Sequence, residues 1–179
     1  MDDQSCNLPE EISGSYHREI LAAHEGEILG HSFFREMSCR YQADPYAKRT
    51  FMLLAEVERG TRVLMRDLLA KHHVACPAPD VSIARGLAVA QSLSGVAWDR
   101  LMVEMAKRIS PAVVRFECLL SKAPVDDRVV IALLVEHERA LDAFVRCKPH
   151  RSNDALRPCV KYLRRLKLHN ASVSCVGPH

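Results

Sequence analysis

The feature that most constrains this chain is the spacing of its apolar residues, which recur at alternating intervals of three and four along four long segments. These rows, called seams below, span residues 16–41, 51–72, 98–119 and 130–144. Such spacing is typical of helices that bury one stripe against each other. No segment shows the sustained alternation that would indicate a strand. The sequence therefore predicts an all-α fold.

Breaks between the seams predict how the helices connect. We expect helices at about residues 9–42, 46–73, 81–93, 97–122, 127–146 and 154–168. Asp44-Pro45 and Pro124 lie in short turns, and short turns join antiparallel neighbours. Pro111 predicts a kink or a break in the helix 97–122. The long connection 74–97 then crosses between two hairpins of a four-helix bundle.

Composition limits the class of protein. The chain has 179 residues, of which 48% are hydrophobic and 26% charged, as in ordinary globular domains. No apolar run approaches the roughly 20 residues of a membrane span. The polar, acidic start lacks the features of a signal peptide, so we expect a cytoplasmic protein. Seven cysteines without a C-x-x-C pair favour neither a zinc ribbon nor a disulfide framework.

Three polar residues occupy seam positions where a helix needs apolar side chains: Glu27, Glu58 and His137. Their distances from the turns at Asp44 and Pro124 place all three near the middle of the bundle. Burying an unpaired carboxylate costs several kcal/mol, so such a residue needs a partner, a proton or a metal ion. We therefore treat these residues as a candidate metal or substrate site.

This pattern resembles the ferritin-like superfamily, most nearly its rubrerythrin-related di-iron carboxylate branch. The resemblance implies two antiparallel hairpins with a crossover connection, and a pair of iron or manganese ions held by bundle carboxylates and histidines. It carries over to this chain at Glu27, Glu58 and His137. It also implies a non-haem oxidoreductase that uses dioxygen or peroxide, or a protein that handles iron.

Four further residues are candidate metal ligands because they lie near those three in sequence: Glu117, Glu138, His24 and His31. Imidazole and carboxylate donors suit iron and manganese. Gly26 and Gly30 lack a side chain and let another group approach the first helix closely. Metal ions and dioxygen are the expected partners, and a homodimer is left open.

A metal-free alternative stays open. Thr61 stands three residues after Glu58, where the resemblance implies a histidine, and Leu134 stands three residues before His137, where it implies a glutamate. Under this alternative the chain is a helical scaffold or binding protein without the di-metal site, and Glu27, Glu58 and His137 form a structural polar network. A seam shifted by one position would instead expose Glu58 and bury Val57.

The last part of the chain is strongly basic. Residues 146–179 carry eight Lys and Arg side chains against one acid, Asp154. We expect residues 1–149 to form the bundle and residues 150–179 a basic helix and tail. That helix should pack outside the bundle through an apolar side formed by Val160, Leu163, Leu166 and Leu168. One basic helix is a weak signal for nucleic acid, which is therefore not an expected partner.

Within the bundle, we expect the seam residues Trp98, Phe34, Leu54, Phe116 and Phe144 to be among the most buried.

Overall fold

A computed structural model describes residues 10–148 and 151–174, and these residues form helices and turns without a strand. The α-helices are α1 (Glu10–Arg40), α2 (Pro45–Lys71), α3 (Asp80–Ser92), α4 (Trp98–Lys122), α5 (Arg128–Arg146) and α6 (Arg157–Ser174). Short 3-10 turns at Val125–Asp127 and Asp154–Leu156 precede α5 and α6. The prediction of an all-α fold is confirmed. None of these helices combines enough length with enough apolar character for a membrane crossing.

The turn between α1 and α2 follows from Asp44-Pro45. The Asp44 carboxylate accepts a hydrogen bond from the main-chain N–H of Ala47 at 3.0 Å. Pro45 is the first residue of α2, where its missing N–H leaves no helical bond unmade. Arg151 also donates to Asp44, at 2.7 Å, and so ties the segment before α6 to this turn.

Pro111 does not break α4, contrary to one of the two outcomes that the sequence predicted. The helix runs from Trp98 to Lys122 with Pro111 inside it. The residue is exposed, so water can reach the carbonyl group that lost its helical hydrogen bond.

The connection between the two hairpins runs along the bundle. At one end, His72 lies 2.6 Å from the carboxylate of Asp127, which precedes α5. At the other end, Arg40 donates to Gln91 at 2.6 Å and to Ser94 at 3.0 Å. Residues 73–97, including α3, therefore return the chain to the end of the bundle where α1 stops and α2 begins. As a result, α2 and α4 run in the same direction.

A buried carboxylate, Asp127, holds together the end of the bundle where α2 stops. It accepts hydrogen bonds from the Tyr16 hydroxyl at 2.9 Å and from the Lys71 ammonium at 2.7 Å. His72, which also contacts His17 at 3.3 Å, supplies a third contact. Burial raises the pKa of Asp127, but these hydrogen bonds outweigh it and lower the pKa below its usual value. The group thus joins α1 and α2 to the start of α5.

The apolar core forms two clusters along the bundle. On α1, Ile20 and Ala23 belong to one cluster, whereas Phe33 and Phe34 belong to the other. Glu27 lies between the two clusters. Four of the five residues expected to be most buried are indeed buried: Phe34, Leu54, Phe116 and Phe144.

Trp98 is only partly buried, and the prediction for it was wrong. It is the first residue of α4, at the end of the bundle, so neighbouring helices do not surround it. Its ring contacts Tyr46 and Phe51, with centroids 5.7 and 5.6 Å apart, and the guanidinium of Arg151 lies 5.2 Å from the ring centroid. The tryptophan therefore lies over the end of the apolar core and is not enclosed by it.

Helix α6 packs on α2 and α5 through one apolar side, as expected of a helix outside the four long ones, and this side also belongs to the apolar core. Its buried side consists of Cys159, Tyr162 and Leu166, while Leu168 is 72% exposed. A side chain at Gly60 of α2 would overlap Leu166. The absence of a Cβ at Gly60 thus leaves room for the Leu166 side chain to pack on α2.

The packing of α6 predicts unequal effects of truncating two of its leucines. Leu166→Ala should lower the free energy of unfolding by about 2–5 kcal/mol, because it leaves a cavity against α2. Leu168→Ala is the matched control and should change it by less than about 0.5 kcal/mol. Urea unfolding followed by circular dichroism measures both. Equal losses in the two variants would contradict the placement of α6.

Candidate metal centre

Glu27, Glu58 and His137 come from three helices, α1, α2 and α5, and meet inside the bundle. Each offers one ligand atom, and these atoms lie within 4.8 Å of one another. The residues are 2%, 4% and 1% exposed, respectively. The seam positions that identified them in the sequence therefore point inward in the folded chain, and the shifted register that would expose Glu58 does not occur.

The His137 ring lies between carboxylates without a hydrogen bond to any of them. Its Nδ1 is 3.4 Å from Oε1 of Glu27 and 3.9 Å from Oε1 of Glu138, and its Nε2 is 3.6 Å from Oε1 of Glu58. Hydrogen bonds of this type are about 2.7–3.2 Å long. Among the described residues, both ring nitrogens and Oε2 of Glu27 are buried without a hydrogen-bond partner. Buried polar atoms rarely lack partners, so this group has unused bonding capacity.

Burial and mutual repulsion change how these groups hold protons. Burial, followed by the Glu58 and Glu138 carboxylates, raises the pKa of Glu27 well above its usual value. Burial is also the main cause that raises the pKa of Glu138, to about 7. Burial lowers the pKa of His137, but the nearby Glu58 and Glu138 carboxylates outweigh it and raise the pKa. Without a cation, the cluster therefore retains protons that these groups would lose in water.

Two neighbours pack directly against the cluster. The Gly30 backbone lies so close to the Glu58 carboxylate that a side chain there would overlap it. On another side, the Tyr162 ring of α6 packs against His137, with centroids 5.6 Å apart. Thr61 donates to the main-chain oxygen of Val57 at 3.0 Å, so the Tyr162 hydroxyl, 2.7 Å away, donates to Thr61. Tyr162 is thereby held as a wall of the site.

The remaining candidate ligands lie in different surroundings. Glu138 is buried beside His137 at the edge of the cluster. Glu117 is partly exposed and accepts two hydrogen bonds from Arg139, at 2.6 and 3.0 Å. His24 and His31 are outside the group of three. Burial, followed by nearby arginine side chains, lowers the pKa of both histidines.

Sequence reasoning missed the part that α6 plays at this site. The expected apolar side of α6 included Leu166, which is buried, and Leu168, which is exposed, and it omitted Cys159 and Tyr162, which also face the bundle. The spacing of three and four residues between Cys159, Tyr162 and Leu166 was a usable signal. Nothing in the sequence singled out Cys159 among the seven cysteines. In the structure its thiol donates to the main-chain oxygen of Ala140 on α5, at 3.5 Å.

In comparisons with known proteins, no protein-family model, no curated protein and no solved structure matches this chain. The chemistry of the site must therefore be inferred from the chain's own residues. These residues offer carboxylate oxygens and an imidazole nitrogen, donors that suit iron and manganese.

The buried cluster predicts how the stability of the metal-free protein depends on pH. Glu138 keeps its proton up to about pH 7 when folded, whereas its usual pKa is 4.5. The folded state binds more protons in this window, so the free energy of unfolding should fall as the pH rises through it. For Glu138 alone, the fall is on the order of 3 kcal/mol. The raised pKa values of Glu27 and His137 act in the same direction.

Urea unfolding of the chelator-treated protein at several pH values between 4.5 and 7.5 measures this slope. Glu138→Gln removes one titrating group at nearly constant volume and should make the slope shallower. Stability that increases with pH across the window would contradict the protonation of the cluster.

Proposed function

We propose that this protein binds iron or manganese through Glu27, Glu58 and His137. The observation that carries the proposal is that three unsatisfied buried atoms lie together: Oε2 of Glu27 and both ring nitrogens of His137 have no hydrogen-bond partner among the described residues. A divalent cation between the carboxylates would use this capacity and offset their repulsion. Metal sites require such convergent donors, and these donors lie within 4.8 Å of one another.

The donor count favours one metal ion per chain. Glu27, Glu58 and His137 supply three ligands, and Glu138 is the nearest additional carboxylate. A pair of ions of the kind that the ferritin-like resemblance implies takes about six ligands from four helices. In this chain, Thr61 and Leu134 stand at two of those positions. We infer a ferritin-like bundle that retains half of that ligand set.

The direction of the helices supports the ferritin-like part of the proposal. Two hairpins joined by one long crossover are the arrangement of ferritin-like folds. Here α2 and α4 run in the same direction, because residues 73–97 return along the bundle from the end of α2 to the start of α4. Such bundles also hold their metal ions with inward-facing ligands on facing helices.

When bound, iron or manganese would supply redox chemistry with dioxygen or peroxide. The protein would then be a non-haem oxidoreductase or would handle iron. The chain's residues would prepare the site. Glu27, Glu58 and one ring nitrogen of His137 would hold the ion, and Glu27 would give up the proton that its raised pKa favours. Tyr162 and the Gly30 backbone would pack against two sides of the site.

Metal content tests the proposal. The untagged protein, reconstituted anaerobically with Fe²⁺ or Mn²⁺ and dialysed, should retain about one ion per chain. Glu27→Gln, Glu58→Gln and His137→Gln should each reduce retention at least tenfold, because each removes one of three ligands. Glu117→Gln is the control and should retain the ion as the wild type does. Elemental analysis measures the retained metal, and circular dichroism confirms that each variant is folded.

Retention below about 0.1 ion per chain in the wild type would contradict the proposal and favour the metal-free scaffold. Under that alternative, Glu27→Gln should also raise the free energy of unfolding, since it removes a carboxylate that is buried without a hydrogen bond to its Oε2. Added Mn²⁺ should then leave the melting temperature of the wild type unchanged.

A further inference from the structure

A cavity of about 210 Å³ adjoins the acidic cluster. It lies between α1 and α4, which touch each other at few points, and α3 and α5 complete its walls. Most of the lining is apolar, with Phe33, Phe34, Leu93, Ile109, Phe116 and Leu141 among its residues. Glu27, Glu58 and Glu138 also line it. The cavity thus joins a largely apolar space to the candidate metal centre.

The size of the cavity defines the size of its ligand. An engineered apolar cavity of about 150 Å³ in another protein stays dry and binds benzene. A volume of about 210 Å³ therefore accommodates a six-membered ring with a few additional atoms, or a short alkyl chain. Ligand sites of this kind are mostly apolar and use a few polar groups to orient the bound molecule.

The charges of the cavity differ between its inner and outer ends. Glu27 and Glu58 are buried and form the inner end. Arg108 and Arg115 also line the cavity, but both are exposed, so they mark its opening to solvent. Arg115 donates to Glu19 through Nε at 2.7 Å and Arg108 donates to the main-chain oxygen of Glu104 through Nη1 at 3.0 Å, so each bond uses one nitrogen of its guanidinium. The two arginines are seven residues apart, which places them on the same face of α4. A guanidinium binds a carboxylate group strongly and with defined geometry.

We propose that this cavity binds a small apolar carboxylate, such as an arylalkyl acid, as the organic substrate of the metal centre. The apolar body occupies the cavity next to Glu27 and Glu58, and the carboxylate group lies at the opening, on Arg108 and Arg115. The role as substrate rests on the proposed metal site. Binding itself depends on the cavity and the arginines, so the two proposals are tested separately.

Three probes with the same aromatic body test the charge preference: phenylacetate, 2-phenylethanol and 2-phenylethylamine. Calorimetric titration of the metal-free protein should give one site that binds phenylacetate at least tenfold more tightly than the alcohol. The amine should bind no more tightly than the alcohol. Arg108→Gln combined with Arg115→Gln should remove the advantage of phenylacetate and leave the affinity for the alcohol unchanged. Tightest binding of the amine, or no binding of phenylacetate, would overturn the inference.

Gly26 offers a test of location that does not disturb the charges. It lines the cavity, and nothing lies within 4 Å of a Cβ built there. Gly26 is exposed and so lies at the opening of the cavity. Gly26→Phe should therefore fold and obstruct this opening, and the affinity for phenylacetate should fall at least tenfold. Gly26→Ala is the matched control, because it makes the same backbone change with one carbon atom, and it should bind as the wild type does. Unchanged binding in the folded phenylalanine variant would overturn the location.

Manganese separates the failure of this inference from the failure of the proposed metal site. In the Mn²⁺-loaded protein, paramagnetic relaxation should broaden the ring protons of bound phenylacetate, and Glu27→Gln should abolish this broadening. Mn²⁺ retention without phenylacetate binding, or binding without broadening, overturns the inference alone. Phenylacetate binding without Mn²⁺ retention overturns the metal site and the substrate role, and it supports the cavity as a carboxylate-binding site.

Discussion

The burial of Glu27, Glu58 and His137 in one place is the constraint on which the rest of the structure depends. Each ionised carboxylate that is removed from water without a partner costs several kcal/mol. In this bundle the buried polar residues, and the free-energy cost of burying them, lie where the two apolar clusters of the core meet. Protons held on the cluster, or a cation between its members, reduce that cost. The apolar clusters on either side then provide the packing that keeps the bundle folded around the polar group.

Much of the fold could be predicted from the sequence because its signals are local and strong. Long seams with three- and four-residue spacing predicted the helices, and Asp44-Pro45 marked the first turn within a few residues. The same seams identified Glu27, Glu58 and His137 as candidates, because each is a polar residue in a row of apolar ones. Their distances along the helices from the turns predicted that they would meet, because the rise per residue of a helix is constant.

The surroundings of the cluster could not be predicted, because they depend on how separate helices approach one another. Glu138 was a candidate because it is adjacent to His137 in sequence, but periodicity does not distinguish it from Glu117, which lies away from the cluster. Tyr162 reaches the site from α6, a helix that packs on α2 and α5 and that no pattern within those two helices indicates. The cavity beside the cluster exists because α1 and α4 stand apart, which no pattern within either helix indicates. Tertiary packing thus determines which polar residues near the seams become part of the site.

The X-ray absorption spectrum of the iron-loaded protein tests most directly whether the buried cluster is a metal centre. The account predicts a first shell of oxygen and nitrogen atoms at about 2.1 Å from the iron. It also predicts outer-shell scattering from one imidazole that disappears in His137→Gln. A shell of sulfur atoms at about 2.3 Å would instead assign the metal to cysteines. A spectrum identical to that of iron in buffer would show that the cluster holds no ion, and either result would contradict the account.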